Sequence, residues 1–153
     1  MLLYGLDPSG GAVVFLAHPG GPFWARRDAG AWSIPKGEYD ALTEDPWLAA
    51  QREFAEEIGI PVPSGVPIDL GEAVQPSRKR VRTFAVEVPD PAAVVFVASN
   101  EFELEWPRGS GRIRRFPEVD RAQWFDLATA RVKVLSGQLP IIEALADREG
   151  WTS

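Results

Sequence analysis

The 153-residue chain contains no cysteine, one methionine and one histidine. Without cysteine there are no disulfides and no thiolate metal sites. A single histidine, His18, rules out a multi-histidine zinc centre. A Ser-His-Asp triad would have to use His18, which precedes PGGPFW, and no nucleophile elbow occurs anywhere in the chain. A Walker A loop and a GxGxxG after a strand are also missing. No run approaches the roughly 18 apolar residues of a membrane span. The start, MLLYGLDPSGG, lacks a basic segment and a small-residue cleavage site, so no signal peptide is expected. The lack of cysteine sits easily with a cytoplasmic protein. There is no repeat, low-complexity tract or linker, so residues 1–153 are expected to form a single domain.

Acid is what the chain has in quantity. Its 22 Asp and Glu against 16 Lys and Arg give a net charge of −6, which argues against stable nucleic-acid binding. Carboxylate oxygen suits hard cations such as magnesium or manganese. The charge is uneven, however. SRKRVR (77–82) and RGSGRIRR (108–115) are basic islands. Each reads either as a solvated edge strand protected from aggregation or as a clamp on an anionic ligand held beside acidic groups.

The densest acid lies in QREFAEEIGI, residues 51–60. On a helix at about 100° per residue, Glu53, Glu56 and Glu57 fall within an arc of roughly 100°, with Trp47, Phe54 and Ile58 opposite. Like charges at this spacing repel. The face is either a solvated acidic surface or a set of ligands whose mutual repulsion a cation relieves. The helix is expected from about Pro46 to Ile58, with Asp45 as N-cap, Pro46 at N1, and Gly59 and Pro61 closing it.

Elsewhere LLYGL and AVVFLAH read as strands joined by the turn DPSGG, and WSIP as a short strand after a Gly/Pro-rich loop. IDLGEAVQ and KRVRTFAVEV read as two antiparallel strands, the second with neither face clearly the buried one. AAVVFVASNEFELEW is an apolar run followed by an alternating Phe102/Leu104/Trp106 strand. QWFDL leads into a helix at about 127–135, and LPIIEALADRE is the terminal helix, with Ile141, Ile142 and Leu145 on one side. Several strands with few helices, not alternating one for one, predict an α+β sandwich.

GEYDALTEDPWLAAQREFAEEIGI, from Gly37 to Ile60, resembles the Nudix box: Gly37, Glu44, Arg52, Glu53, Phe54, Glu56, Glu57, Gly59 and Ile60 fill its places. Six residues separate Gly37 from Glu44 where five are usual, an insertion confined to the loop before the helix. WSIPKGE resembles the lead-in of Nudix enzymes that cleave dinucleoside polyphosphates. The chain as a whole, including FELEWPRGSGR, FPEVDRAQWFDL and GQLP, looks like a bacterial subgroup of NTP pyrophosphohydrolases.

The resemblance implies the Nudix fold, an α/β/α sandwich on a mixed central sheet, and metal-dependent pyrophosphohydrolase activity with Mg2+, or Mn2+ in its place. It implies Glu56 and Glu57 as direct ligands, Glu53 as ligand or water-activating partner, and the Gly37 carbonyl completing the shell. Arg52 is an orienting residue paired with a box glutamate such as Glu53, and Glu44 acts structurally or through a metal-bound water. Glu118 is the candidate later acid, with Asp120, Glu101 and Glu103 as alternatives. Lys36 could meet a phosphate, and His18 could line the substrate pocket or merely end a strand. Arg78, Lys79 and Arg80 are a candidate polyphosphate clamp. Trp24, Trp32 and Phe84 could stack on a base or pack in the core. The substrate class implied is a dinucleoside polyphosphate or a nucleoside triphosphate. The alternatives are a non-nucleotide pyrophosphate, such as a diphosphoinositol phosphate, and a nucleotide-binding sensor that does not hydrolyse.

Overall fold

Strand β1 (Leu2–Leu6) sends alternate side chains into two different cores. Leu2 and Tyr4 enter one core, while Met1 and Leu3 enter the other. Strand β2 (Ala12–Pro19) does the same, dividing Val14 and Leu16 from Phe15 and Ala17. With a side-chain period of two, strands that are apolar on both faces must be covered on both faces. The computed structural model, which describes residues 1–36, 39–40, 42–74 and 80–151, shows that arrangement.

Strands β3 (Ile68–Val74), β4 (Arg80–Glu87) and β7 (Val119–Asp126) complete a five-stranded sheet in the order β3-β4-β1-β2-β7. β1 runs parallel to β4, and the other neighbours are antiparallel, so the sheet is mixed. Helix α1 (Pro46–Ile58) covers one face through Phe54 and Ile58, with the Trp47 ring edge-on to Phe84 at 5.3 Å. Helices α2 (Leu127–Lys133) and α3 (Leu139–Glu149) cover the other through Leu127, Ala130, Ile142, Leu145 and Ala146. The fold is therefore the expected α/β/α sandwich. Strand β4 belongs to both cores, with Ala85 facing α2 and α3, and Phe84 and Val86 facing α1. That explains why its sequence shows no preferred buried face.

The predicted helix 46–58 is present with its predicted ends. The Asp45 carboxylate accepts from Trp47 N at 2.9 Å and Leu48 N at 3.1 Å, satisfying two of the first-turn donors. Gly59 is left-handed at φ 84°, and a Cβ there would stand 2.7 Å from Ala98 O, so both conformation and space require glycine.

Two expectations are corrected. WSIP forms no strand of its own: Ser33 makes a single antiparallel bridge to Ala17 and Trp32 a single parallel bridge to Val134. β1 registers with β2 only through residues 12–14, so Ser33 takes over that edge further along, and Pro35 has no N–H to extend the pairing. The strand predicted around QWFDL begins earlier, at Val119, because β2 keeps pairing with β7 as far as Pro19. The apolar run before Glu101, to which the sequence assigned no element, is a 3-10 turn at Pro91–Ala93 followed by irregular chain, and Val95 and Val97 are exposed. Beyond it, β5 (Glu101–Glu105) pairs antiparallel with β6 (Ile113–Pro117), a separate two-stranded hairpin. The second basic island is the turn and return strand of that hairpin.

Candidate active site

Helix α1 brings Glu53, Glu56 and Glu57 to one region, and the end of the Gly/Pro-rich loop closes over Glu57. Lys36 meets the site through its backbone, whose N–H donates to Glu57 Oε2 at 3.2 Å. Next to it, the amine of Met1 donates to Pro35 O at 2.6 Å. Burial pushes the Glu57 carboxyl up to about 8, and the charges of Glu53 and Glu118 add to that shift. The Lys36 N–H and the Met1 amine oppose it. The same burial pushes the Met1 amine down to about 5. Two ionisable groups are thus held in low-dielectric surroundings with too little counter-charge to keep both ionised.

Glu118 approaches from the other side. It lies at the bend between β6 and β7, where its N–H donates to Asn100 O at 2.8 Å and its carbonyl accepts from Gly20 N at 2.9 Å. Asn100 N in turn donates to Glu56 O at 2.9 Å, so a backbone ladder fastens Glu118 to the last turns of α1. Its carboxyl is raised by partial burial and then by the charges of Glu53 and Glu56. The alternative acids are engaged elsewhere or stand away from the helix. Asp120 Oδ1 meets His18 Nδ1 at 2.8 Å, Glu101 pairs with Arg115 at 3.3 Å, and Glu103 is exposed on the hairpin.

Arg52 organises the helix face. Its Nε and Nη2 take the two oxygens of Glu44 at 2.9 and 3.0 Å, while Nη1 donates to Glu53 Oε1 at 2.7 Å and Glu56 Oε2 at 3.4 Å. The guanidinium is held charged by hydrogen bonds to Glu44 and then Glu53. A two-pronged contact to Glu44 with a third to Glu53 uses the planar fork that lysine lacks. Arg52→Lys is accordingly expected to lower kcat about tenfold through a mispositioned Glu53. Its half-exposed ion pairs should change stability by less than about 1 kcal/mol. Steady-state rates and denaturant melts on the same preparation check this, and wild-type kcat would remove the orienting role.

His18, the penultimate residue of β2, is a wholly buried side chain, with Nε2–H donating to Arg27 O at 2.7 Å and Nδ1 on Asp120. Both ring nitrogens are spent inside the protein, so the structure gives His18 the task of tying the 20–28 loop to β7 instead of lining a pocket. Trp32 and Phe84 are buried packing residues, and Trp24 is half-buried under Arg27. Gly37, Arg78, Lys79 and the side chain of Arg80 lie outside the described residues. The Met1 amine and Asn100 have no counterpart in the sequence reading. A terminal group carries no pattern, and Asn100 contributes only backbone atoms.

The donor set fits a hard divalent cation. Every side-chain ligand on offer is a carboxylate, and among the described residues no cationic side chain forms an ion pair with the half-buried Glu57. No three acidic groups among the described residues already enclose a common point, and Arg52 bonds to both Glu53 and Glu56.

A mixed sheet between helices, with an acidic helix end faced by an acid from the bend between β6 and β7, marks a hydrolase of phosphoanhydride bonds once taken with the family match. The NUDIX domain family model matches residues 5–145, and the chain belongs to that family. Among solved structures, a Caenorhabditis elegans Ap4A hydrolase binary complex is similar with a TM-score of 0.66 and 17% identity, covering 99% of this chain and 96% of that one. The NUDIX domain of Shewanella oneidensis NrtR complexed with ADP ribose is similar at 0.58 and 14%, covering 97% and 84%. The C-terminal domain of mouse MUTYH, in complex with human PCNA, is similar at 0.60 and 13%, covering 99% and 88%. At these identities the likeness is one of fold. None of the curated proteins matches the chain in sequence.

Proposed function

We propose that the protein is a divalent-metal-dependent pyrophosphohydrolase of nucleoside polyphosphates, with dinucleoside polyphosphates and nucleoside triphosphates as its substrate class. The observation that carries this is the charge coupling of the half-buried Glu57 to Glu53 and Glu118, and of Glu118 to Glu53 and Glu56, which draws acids of one helix and one bend together. The structural neighbours named for Ap4A hydrolysis and for ADP-ribose binding support a nucleotide with linked phosphates. Among the described residues no helix is long and apolar enough to cross a membrane.

Magnesium or manganese held by Glu56 and Glu57, with Glu53 and the Gly37 carbonyl, would offset phosphate charge and acidify a bound water. The protein's own groups do the rest. Arg52 fixes Glu53 in place. Glu118, whose carboxyl is raised by partial burial and by the charges of Glu53 and Glu56, takes the proton of the attacking water. As the new P–O bond forms, the anhydride P–O bond breaks and the leaving phosphate carries off the bond's electrons. Lys36, whose backbone meets Glu57, would bring its ammonium to a phosphate oxygen.

The test is a substrate panel with magnesium, reading released phosphate after phosphatase coupling. Activity is expected to vanish in excess chelator and to return with magnesium or manganese. Full turnover in chelator, or no cleavage of any phosphoanhydride, would overturn the reading.

A further inference from the structure

The β5–β6 hairpin stands apart from the main sheet, yet its feet rest on the acidic helix through Asn100 and Glu118. The loop after β2 converges on the same feet. Gly20 bonds to the Glu118 carbonyl, and Gly21 lies so close under Phe102 that a Cβ would stand 2.9 Å from its ring. Along one face of the hairpin Phe102 is opposite Phe116, and Leu104 is opposite Arg114. At about 3.4 Å per residue, the Leu104–Arg114 pair stands about 10 Å out from the foot at Glu101–Pro117.

Cations and aromatic rings alternate on this arm. The Arg114 guanidinium lies 5.6 Å from the Phe116 centroid, and that of Arg108 lies 5.9 Å from Phe23. Phe23 is 50% exposed and meets Trp106 edge-on at 5.4 Å. Arg115 is paired with Glu101, but among the described residues no carboxylate lies within ion-pair distance of Arg108, Arg112 or Arg114. A guanidinium lying on one ring keeps its other face for a second π system and its edge for phosphate oxygens. Acid at the inner end and cationic aromatics at the outer end complement a molecule with a phosphate chain at one end and a flat base at the other.

We propose that the hairpin and the 20–27 loop form the distal arm of the substrate site, Arg114 taking outer phosphates and the Arg108–Phe23 pair stacking a nucleobase. The inference rests on the hydrolase reading and deepens it: the preferred substrate is a nucleotide with several phosphates between its base and the scissile bond, not a base-free polyphosphate. Specificity then lies on the arm, while bond cleavage lies on α1 and Glu118.

The test compares Arg108→Ala, Phe23→Ala and Arg114→Ala with Arg148→Ala, a surface change at the far end of α3. Substrates are a dinucleoside tetraphosphate and inorganic tetraphosphate, with equilibrium binding of a methylene-bridged dinucleoside tetraphosphate measured in parallel. Arg108→Ala and Phe23→Ala are expected to raise KM and Kd about tenfold for the nucleotide, with kcat within about twofold and inorganic tetraphosphate unaffected. Arg114→Ala should raise KM for both substrates, and Arg148→Ala for neither. Unchanged nucleotide Kd in the Arg108 and Phe23 variants, equal effects on the base-free chain, or no binding of the bridged nucleotide by wild type would each overturn the proposal. A wild type that binds the nucleotide through these residues yet cleaves nothing would overturn the hydrolase reading alone.

Discussion

Replacing Glu57 by glutamine is expected to lower kcat by roughly 10²-fold or more, about 3 kcal/mol of lost transition-state stabilisation. The metal-free protein should be no less stable for the change. Glutamine keeps the shape and nearly the helix propensity of glutamate and still accepts the Lys36 N–H. It removes a charge that burial disfavours and that Glu53 and Glu118 repel. Magnesium should raise the melting temperature of wild type more than that of the variant, since a ligand stabilises the native state according to its affinity for it. Denaturant melts with and without magnesium, paired with steady-state rates, decide the matter. A variant that unfolds readily yet keeps wild-type kcat would make Glu57 a structural residue.

The second large effect is on stability as a function of pH. The Glu57 carboxyl is raised from an ordinary 4.5 to about 8, so between those values the folded protein holds a proton that the unfolded chain has released. Its contribution is fully present below about 4.5 and is lost as pH rises through about 8. Wild type should therefore lose stability relative to Glu57→Gln across that window, by on the order of a few kcal/mol in metal-free buffer. The lowered Met1 amine works in the opposite sense, favouring the folded state as pH rises from about 5, but it is common to both proteins and largely cancels in the comparison. Magnesium should flatten the wild-type loss by favouring the ionised carboxylate. Parallel stability curves for the two proteins would show that Glu57 is not held protonated.

Much of this arrangement was legible in particular residues. Asp45, Pro46 and Gly59 marked both ends of α1 because caps are local chemistry, and the apolar stripe of Trp47, Phe54 and Ile58 set which face would be buried. The box spacing singled out Arg52, which does bond to Glu53 and Glu56, and FPEVD singled out Glu118, whose carboxyl feels the charges of Glu53 and Glu56. What stayed hidden depends on pairing across the fold. WSIP has strand-like residues but only one backbone neighbour at a time. β5 and β6 find each other across a turn whose Gly, Ser and Arg residues read equally well as a loose basic loop. His18 could not be placed without knowing that Arg27 O and Asp120 would sit on either side of its ring. The shift of Glu57 is likewise a property of enclosure by Pro35, Lys36 and Met1, which its neighbours in sequence do not announce.

The ladder from Glu56 O through Asn100 to Glu118 separates the hairpin's length from its anchorage. In an antiparallel pair, residues added two to each strand restore the same facing pattern one step further out. Beyond the Glu101–Pro117 pair the arm can therefore lengthen or shorten in such steps while the acids at its foot keep their positions. Reach could drift in this lineage, or be redesigned at the bench, as a modular variable, with the chemistry at the foot left untouched.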